Sequence, residues 1–154
     1  MMKVLFAVDL SEPEEVSSRV EVLVRAMNAE LLVLHVRHPA PAAPVPPVDP
    51  MSGLMGFAPY SVYDPSLEED FERAEENAFR DFLDSRFSGP VRAAIREGEP
   101  WETVLEDADE EEVDLIILGK RQQTRFERLL MGSVAGEILR RSNRPLLIVP
   151  VPPS

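Results

Sequence analysis

Five short apolar runs, residues 4–8, 31–36, 91–95, 115–118 and 146–149, alternate along the chain with four segments whose apolar residues recur every three or four positions. The runs are largely apolar, rich in Leu and β-branched residues, with His35 and Arg92 as the polar members, and such runs suit strands covered on both faces. Strict alternation of strand and helix specifies an α/β domain: an open, doubly wound, five-stranded and mostly parallel sheet with four helices on its two faces. At 154 residues the chain fits one domain spanning 1–154.

The first helix is predicted to open at Ser11, with Glu14 closing a capping box, and to present Val16, Val20, Val24 and Met27 on one face. The second shows Leu67, Phe71, Ala74, Ala78 and Phe82 and stops near Gly89-Pro90; the third shows Trp101, Val104, Leu105 and Ala108. Val134, Ala135, Ile138 and Leu139 mark the fourth, which must end before Pro145. Residues 39–65 break the pattern with eight prolines and no sustained period, so they read as a long Pro-rich loop within the domain. The loop's Met51, Leu54, Met55, Phe57, Tyr60 and Tyr63 exceed what a solvated loop needs, which suits a cover over a pocket or a surface for a partner.

Charge narrows the function classes. A net charge of −12 repels phosphate backbones, so nucleic acid and anionic membrane surfaces are not expected partners. No apolar stretch approaches the roughly 18 residues of a membrane span, the start does not read as a secretory signal, and the expected location is cytoplasmic. The absence of cysteine excludes disulfides, thiolate metal sites and cysteine nucleophiles. The charge is also uneven: residues 97–114 carry ten acids and no base, whereas residues 119–144 carry seven bases and two acids. Within residues 97–114, the acidic face around Glu106 to Glu112 reads as the solvent side of a helix.

The basic excess falls on a segment that begins at Gly119, follows the fourth apolar run, and ends at Gly132-Ser133 where the fourth helix begins. Glycines let backbone approach a ligand, and the free N–H groups of a helix start attract anions, so the segment has the makings of a phosphate loop. In an open α/β sheet ligands sit beyond the carboxyl ends of the strands, where strand order reverses. Asp9, at the end of the first run, is placed to accept hydrogen bonds from a ribose hydroxyl or an adenine amino group; capping of the next loop is an equally good use for it. A solvated basic loop paired with the acidic run is the alternative for residues 119–133.

Other chemistries find little support. His35 and His38 lack metal-ligand spacing on a strand, and no metal site is expected. Neither a Gly-x-Ser-x-Gly elbow nor a Gly-x-Gly-x-x-Gly dinucleotide fingerprint is present, so a serine hydrolase and a nicotinamide enzyme are both disfavoured. A phospho-receiver would need further acids and a Lys at strand ends where Arg96 and Pro150 stand.

Four stretches together resemble the universal stress protein family: residues 4–12, residues 31–36, residues 98–119, and residues 129–135 followed by 143–150. They occur in the family's order and cover nearly the whole chain outside the Pro-rich loop. The resemblance implies the adenine nucleotide α-hydrolase-like fold. It also implies an ATP-binding loop of glycine, two residues, glycine, nine residues, then glycine with Ser or Thr. On this chain the first glycine is Gly119 and the last pair is Gly132-Ser133, but Gln122 stands at the second glycine and Arg125 at a small position between. A non-glycine residue held in left-handed geometry costs about 1–2 kcal/mol, and an amide donated by Gln122 is one compensation.

If the ligand binds as the family implies, Asp9 and Val36 meet adenine or ribose, and Leu118, Gly119, Gly132, Ser133 and Val134 line the phosphate side. The resemblance then implies a stress-response module that binds ATP with Mg²⁺ and signals through loop or dimer surfaces, with at most slow incidental hydrolysis. It implies a homodimer as well, paired through the last strand between Leu146 and Val149, an apolar edge that needs a cover. The alternative is an interaction protein of the same fold that has lost nucleotide binding and holds a partner with the Pro-rich loop.

Overall fold

The computed structural model describes residues 1–37, 65–120 and 133–150, with the side chains of residues 65–68, 120 and 133 left out. Five strands, β1 (Lys3–Val8), β2 (Glu30–Arg37), β3 (Arg92–Glu97), β4 (Leu115–Lys120) and β5 (Leu146–Pro150), form one sheet in the order β3-β2-β1-β4-β5. All four pairings are parallel, as continuous apolar runs demand. Four helices complete the described residues: α1 (Glu14–Ala26), α2 (Pro65–Arg86), α3 (Pro100–Glu110) and α4 (Ser133–Arg141).

Alternation along each strand divides the core into two layers. Val4, Phe6 and Val8 of β1, with Val33 and Ile117, pack against Val16, Val20 and Val24 of α1 and Phe79 and Phe82 of α2. Leu5, Leu32, Leu34, Ile116 and Leu118 face the other way, against Val104 and Ala108 of α3 and Ile138 of α4. Successive strand residues point to opposite faces, so burying both faces of β1 and β4 is what places helices on both sides.

Four expectations are corrected. Ser11 does not cap α1: the helix begins at Glu14 with Pro13 at its N-cap and no side-chain cap bond, because the Ser11 hydroxyl binds Asp9 instead. The predicted face of α2 is rotated. Phe79 and Phe82 are buried, whereas Phe71 is 75% exposed and Ala74 and Ala78 face solvent. The helix turns so that Glu75 can reach His35 on β2. Leu139 likewise lies 60% exposed instead of on the buried face of α4. Finally, β3 begins at Arg92, not Val91, and is an exposed edge strand rather than one covered on both faces. Arg92 on that edge pairs with Glu30 and Glu111, and Arg96 with Asp107.

Of the acids around Glu106 to Glu112, Glu106, Asp109 and Glu110 lie on the exposed side of α3, Asp107 is buried beside Arg96, and Glu111 and Glu112 follow the end of the helix. The opposite sheet edge is different in kind. Leu147 and Ile148 of β5 line an open apolar groove with Val22 and Leu23 of α1, and Val22 is 67% exposed. No helix among the described residues is long and apolar enough to cross a membrane. Residues 39–64, the greater part of the Pro-rich loop, lie outside the described residues.

Candidate functional site

From β1 the chain moves outward through β2 to β3, then returns to the other side of β1 for β4 and β5. Strand order therefore reverses between β1 and β4, and in open α/β sheets the ligand crevice lies beyond the carboxyl ends of such a pair. The register Ala7↔Leu118 brings those ends level, so Asp9 and the residues after Leu118 reach the same edge. A tight turn fixes the β1 side. Asp9 Oδ1 accepts hydrogen bonds from the Ser11 amide at 3.0 Å and the Ser11 hydroxyl at 2.8 Å, while the Glu12 amide donates to the Asp9 carbonyl at 2.9 Å. Asp9 is exposed at the crevice, and its carboxylate serves the local turn, the use that competes with ligand binding.

Three of the predicted residues belong to one wall. Leu118 is buried in the layer beneath α3 and α4, and Val36 and Val134 pack against that same layer together with Ala7. Gly119, one residue on, turns the other way. A Cβ there would point toward α1, 2.8 Å from Glu12 Cδ and 3.3 Å from Val16 Cγ1, and would collide with Glu12 Oε1. The position is open to glycine because the protein's own carboxylate fills the space behind it. Glu12 is only 4% exposed.

Sequence reasoning passed over Glu12 as part of a helix start. The signal that finds it is parity: residue 119 faces the α1 side, and the turn after β1 is the segment close enough to meet it. Ser133 opens α4, the helix that lies between β4 and β5 in the chain, and the last turn of that helix carries Arg140 and Arg141. Gln122 and Gly132 lie outside the described residues, as does the Ser133 side chain.

The β2 end carries most of the described charge near the crevice. Arg37 lies 3.3 Å from Glu97, 3.7 Å from Glu72 and 3.9 Å from Glu75. His35 Nε2 meets Glu75 Oε1 at 2.7 Å. Among the described residues no group of three or more His, Cys, Asp or Glu is arranged to hold a metal ion. The described residues bring together an apolar wall at Val36, Leu118 and Val134, the exposed Asp9 turn, and Gly119 backed by Glu12.

The family model for the universal stress protein family matches residues 1–150. Universal stress protein MJ0577 of Methanocaldococcus jannaschii is 34% identical over 83 residues, 54% of this chain and 50% of that protein. The stress response protein NhaX of Bacillus subtilis is 40% identical over 55 residues, 36% of this chain and 33% of that protein. The matched segments thus span half or less of these relatives' length. Among solved structures, that of MJ0577 superposes with a TM-score of 0.61 at 26% identity, covering 99% of this chain and 98% of the other. A universal stress protein in complex with cAMP gives a TM-score of 0.61 at 23% identity over 98% of each chain, a likeness of fold.

Proposed function

Because this chain belongs to the universal stress protein family, we propose that it is a stress-response module that binds an adenine nucleotide in the crevice between β1 and β4. The observation that carries the proposal is the strand-order reversal, which brings the Asp9 turn, the Val36 and Leu118 wall and Gly119 to one sheet edge. In this reading Val36 and Leu118 pack against the base and Asp9 accepts from a ribose hydroxyl or the adenine amino group. Gly119, Gly132, Ser133 and Val134 then hold phosphate through main-chain amides at a helix start. The complex of a related fold with cAMP supports a nucleotide as the ligand class; ATP with Mg²⁺ is the fuller ligand this reading favours.

The module acts by binding rather than turnover. Any hydrolysis of ATP in this reading is slow and incidental. Binding changes the crevice and, through β4 and β5, the dimer edge. The protein works in the cytoplasm as a homodimer.

The test is thermal. ATP with Mg²⁺ is expected to raise the melting temperature in proportion to the logarithm of its concentration, and protein as purified is expected to carry adenine nucleotide. A flat calorimetric titration with adenine nucleotides would overturn the proposal and leave the interaction-protein reading. Gln122→Gly restores the second motif glycine and is expected to tighten ATP binding.

A further inference from the structure

Val36 is half-buried and stands where its strand has lost one neighbour. β1 pairs with β2 only as far as His35, so Val36 and Arg37 run on with β3 alone beside them. β3 is an exposed edge strand, and Gly98, the residue after it, donates its amide to the Arg37 carbonyl at 2.9 Å. The remaining hold comes from α2. Successive strand residues point to opposite faces, so His35 and Arg37 turn toward α2 while Val36 turns toward the α3/α4 layer. Glu75 Oε1 lies 2.7 Å from His35 Nε2, and Glu75 Oε2 lies 3.9 Å from Arg37 Nε. One carboxylate thus touches the residues on both sides of Val36. Glu72 and Glu97 add contacts to Arg37 at 3.7 Å and 3.3 Å, and pairs as open to water as these hold little by themselves. The His35 contact is different in kind: the side chain is 11% exposed, and its other ring nitrogen is buried without a hydrogen-bond partner among the described residues.

We propose that Glu75 is a positioning residue for the nucleotide base. By holding His35 and Arg37 against α2 it fixes the strand end between them, and with it the place of Val36 on the other face of the sheet. This rests on the nucleotide-binding reading above, which gives the base to Val36, and adds that recognition of the base is coupled to the seating of α2 on β2. The phosphate end of that site belongs to β4 and α4, on the far side of β1, so Glu75 acts on the base and not on the phosphates.

The experiment titrates the full chain, Glu75→Ala and Glu75→Gln with AMP, ADP and ATP in excess Mg²⁺, well below the melting temperature of each protein. Glu75→Ala is expected to weaken all three nucleotides by one common factor of about tenfold. Gln keeps the side-chain length, and its amide can donate or accept, so it meets His35 Nε2 in either tautomer and is expected to recover most of the loss. Leu83→Ala loosens α2 from the core two turns further along and controls for stability alone; it is expected to leave the three affinities unchanged. If Glu75→Ala does not fold, Arg37→Ala, which removes the second contact, carries the same expectation. Unchanged affinities in the Ala variant, a loss that grows with phosphate number, or an equal loss in Leu83→Ala would overturn the proposal and leave nucleotide binding intact. No binding of any nucleotide by the unmodified chain would overturn the nucleotide-binding reading and this inference with it.

Discussion

His35 of β2 and Glu75 of α2 meet across the sheet face at 2.7 Å between Nε2 and Oε1, and the imidazole also lies 5.7 Å from the Phe79 ring, centroid to centroid. The other ring nitrogen, Nδ1, is buried without a hydrogen-bond partner, so the contact with Glu75 is the bond that satisfies the ring. Buried polar groups that lose their partner cost about 1–3 kcal/mol. Glu75→Ala is therefore expected to lower stability by about 1–2 kcal/mol, read as a drop in the urea midpoint at unchanged slope. An unchanged midpoint would mean that α2 is held by Phe79 and Phe82 alone.

Gly119→Ala is expected to destabilise the fold although the added group is small. The new Cβ would stand 2.8 Å from Glu12 Cδ and 3.3 Å from Val16 Cγ1. Overpacking of this kind costs about 1–3 kcal/mol. Most of that loss should vanish when Glu12→Ala is combined with it, because the colliding group is then gone. A double-mutant cycle on melting temperature checks this, and additive effects would place the strain elsewhere.

The layered sheet was legible because both faces of β1 and β4 are buried, and continuous runs such as Leu115 to Leu118 leave little room for another element. Helix faces were legible where one stripe dominates: Val16, Val20 and Val24 are buried as their spacing requires. The face of α2 was not. Phe71, Phe79 and Phe82 permit two rotations, and the choice falls to a tertiary contact, His35 with Glu75, that no periodicity encodes. The expected cap failed similarly, because Ser11 has two acceptable partners and Asp9 lies nearer than the helix end. At the site, strand-end positions such as Asp9 and Gly119 follow from topology. Glu12 does not, since its importance appears only when residue 119 and the turn after β1 are brought together.

The Glu21 carboxylate accepts hydrogen bonds from the Ser88 hydroxyl and, at 3.1 Å, from the Ser88 amide, and it pairs with Arg25 at 3.1 Å. The Ser88 hydroxyl and amide together hold the carboxyl below its ordinary value. A folded-state value that is depressed adds stability that is complete above the unfolded carboxyl value, about 4.3, and is lost as pH falls through the folded value. Ser88→Ala is thus expected to destabilise slightly at pH 7, by less than about 1 kcal/mol for so accessible a site. The difference between the two proteins should narrow below about pH 4, where Glu21 takes up its proton in both. Melting curves at pH 7, 5 and 3 measure it, and a gap that widens in acid would contradict the assignment.

The two sheet edges differ in what they offer a second copy of the chain. On β3 the outward side chains include Arg92 and Arg96, each paired with acids, and charge on an edge strand discourages strand addition. On β5 the edge is apolar and continues into Val22, 67% exposed, and Leu23, 37% exposed, so pairing there would cover surface that is otherwise in water. Pro150 lacks an N–H, which limits such pairing to a short segment. Val22 is too exposed to matter to the monomer's core, so Val22→Asp should leave the fold intact while placing a charge against its copy in the partner. Sedimentation at micromolar protein is expected to show a dimer for the unmodified chain and a shift toward monomer for the variant, with a melting temperature that loses its dependence on concentration. Equal masses for the two proteins would remove Val22 from the interface, and a monomer in both would leave the β5 edge without its second copy.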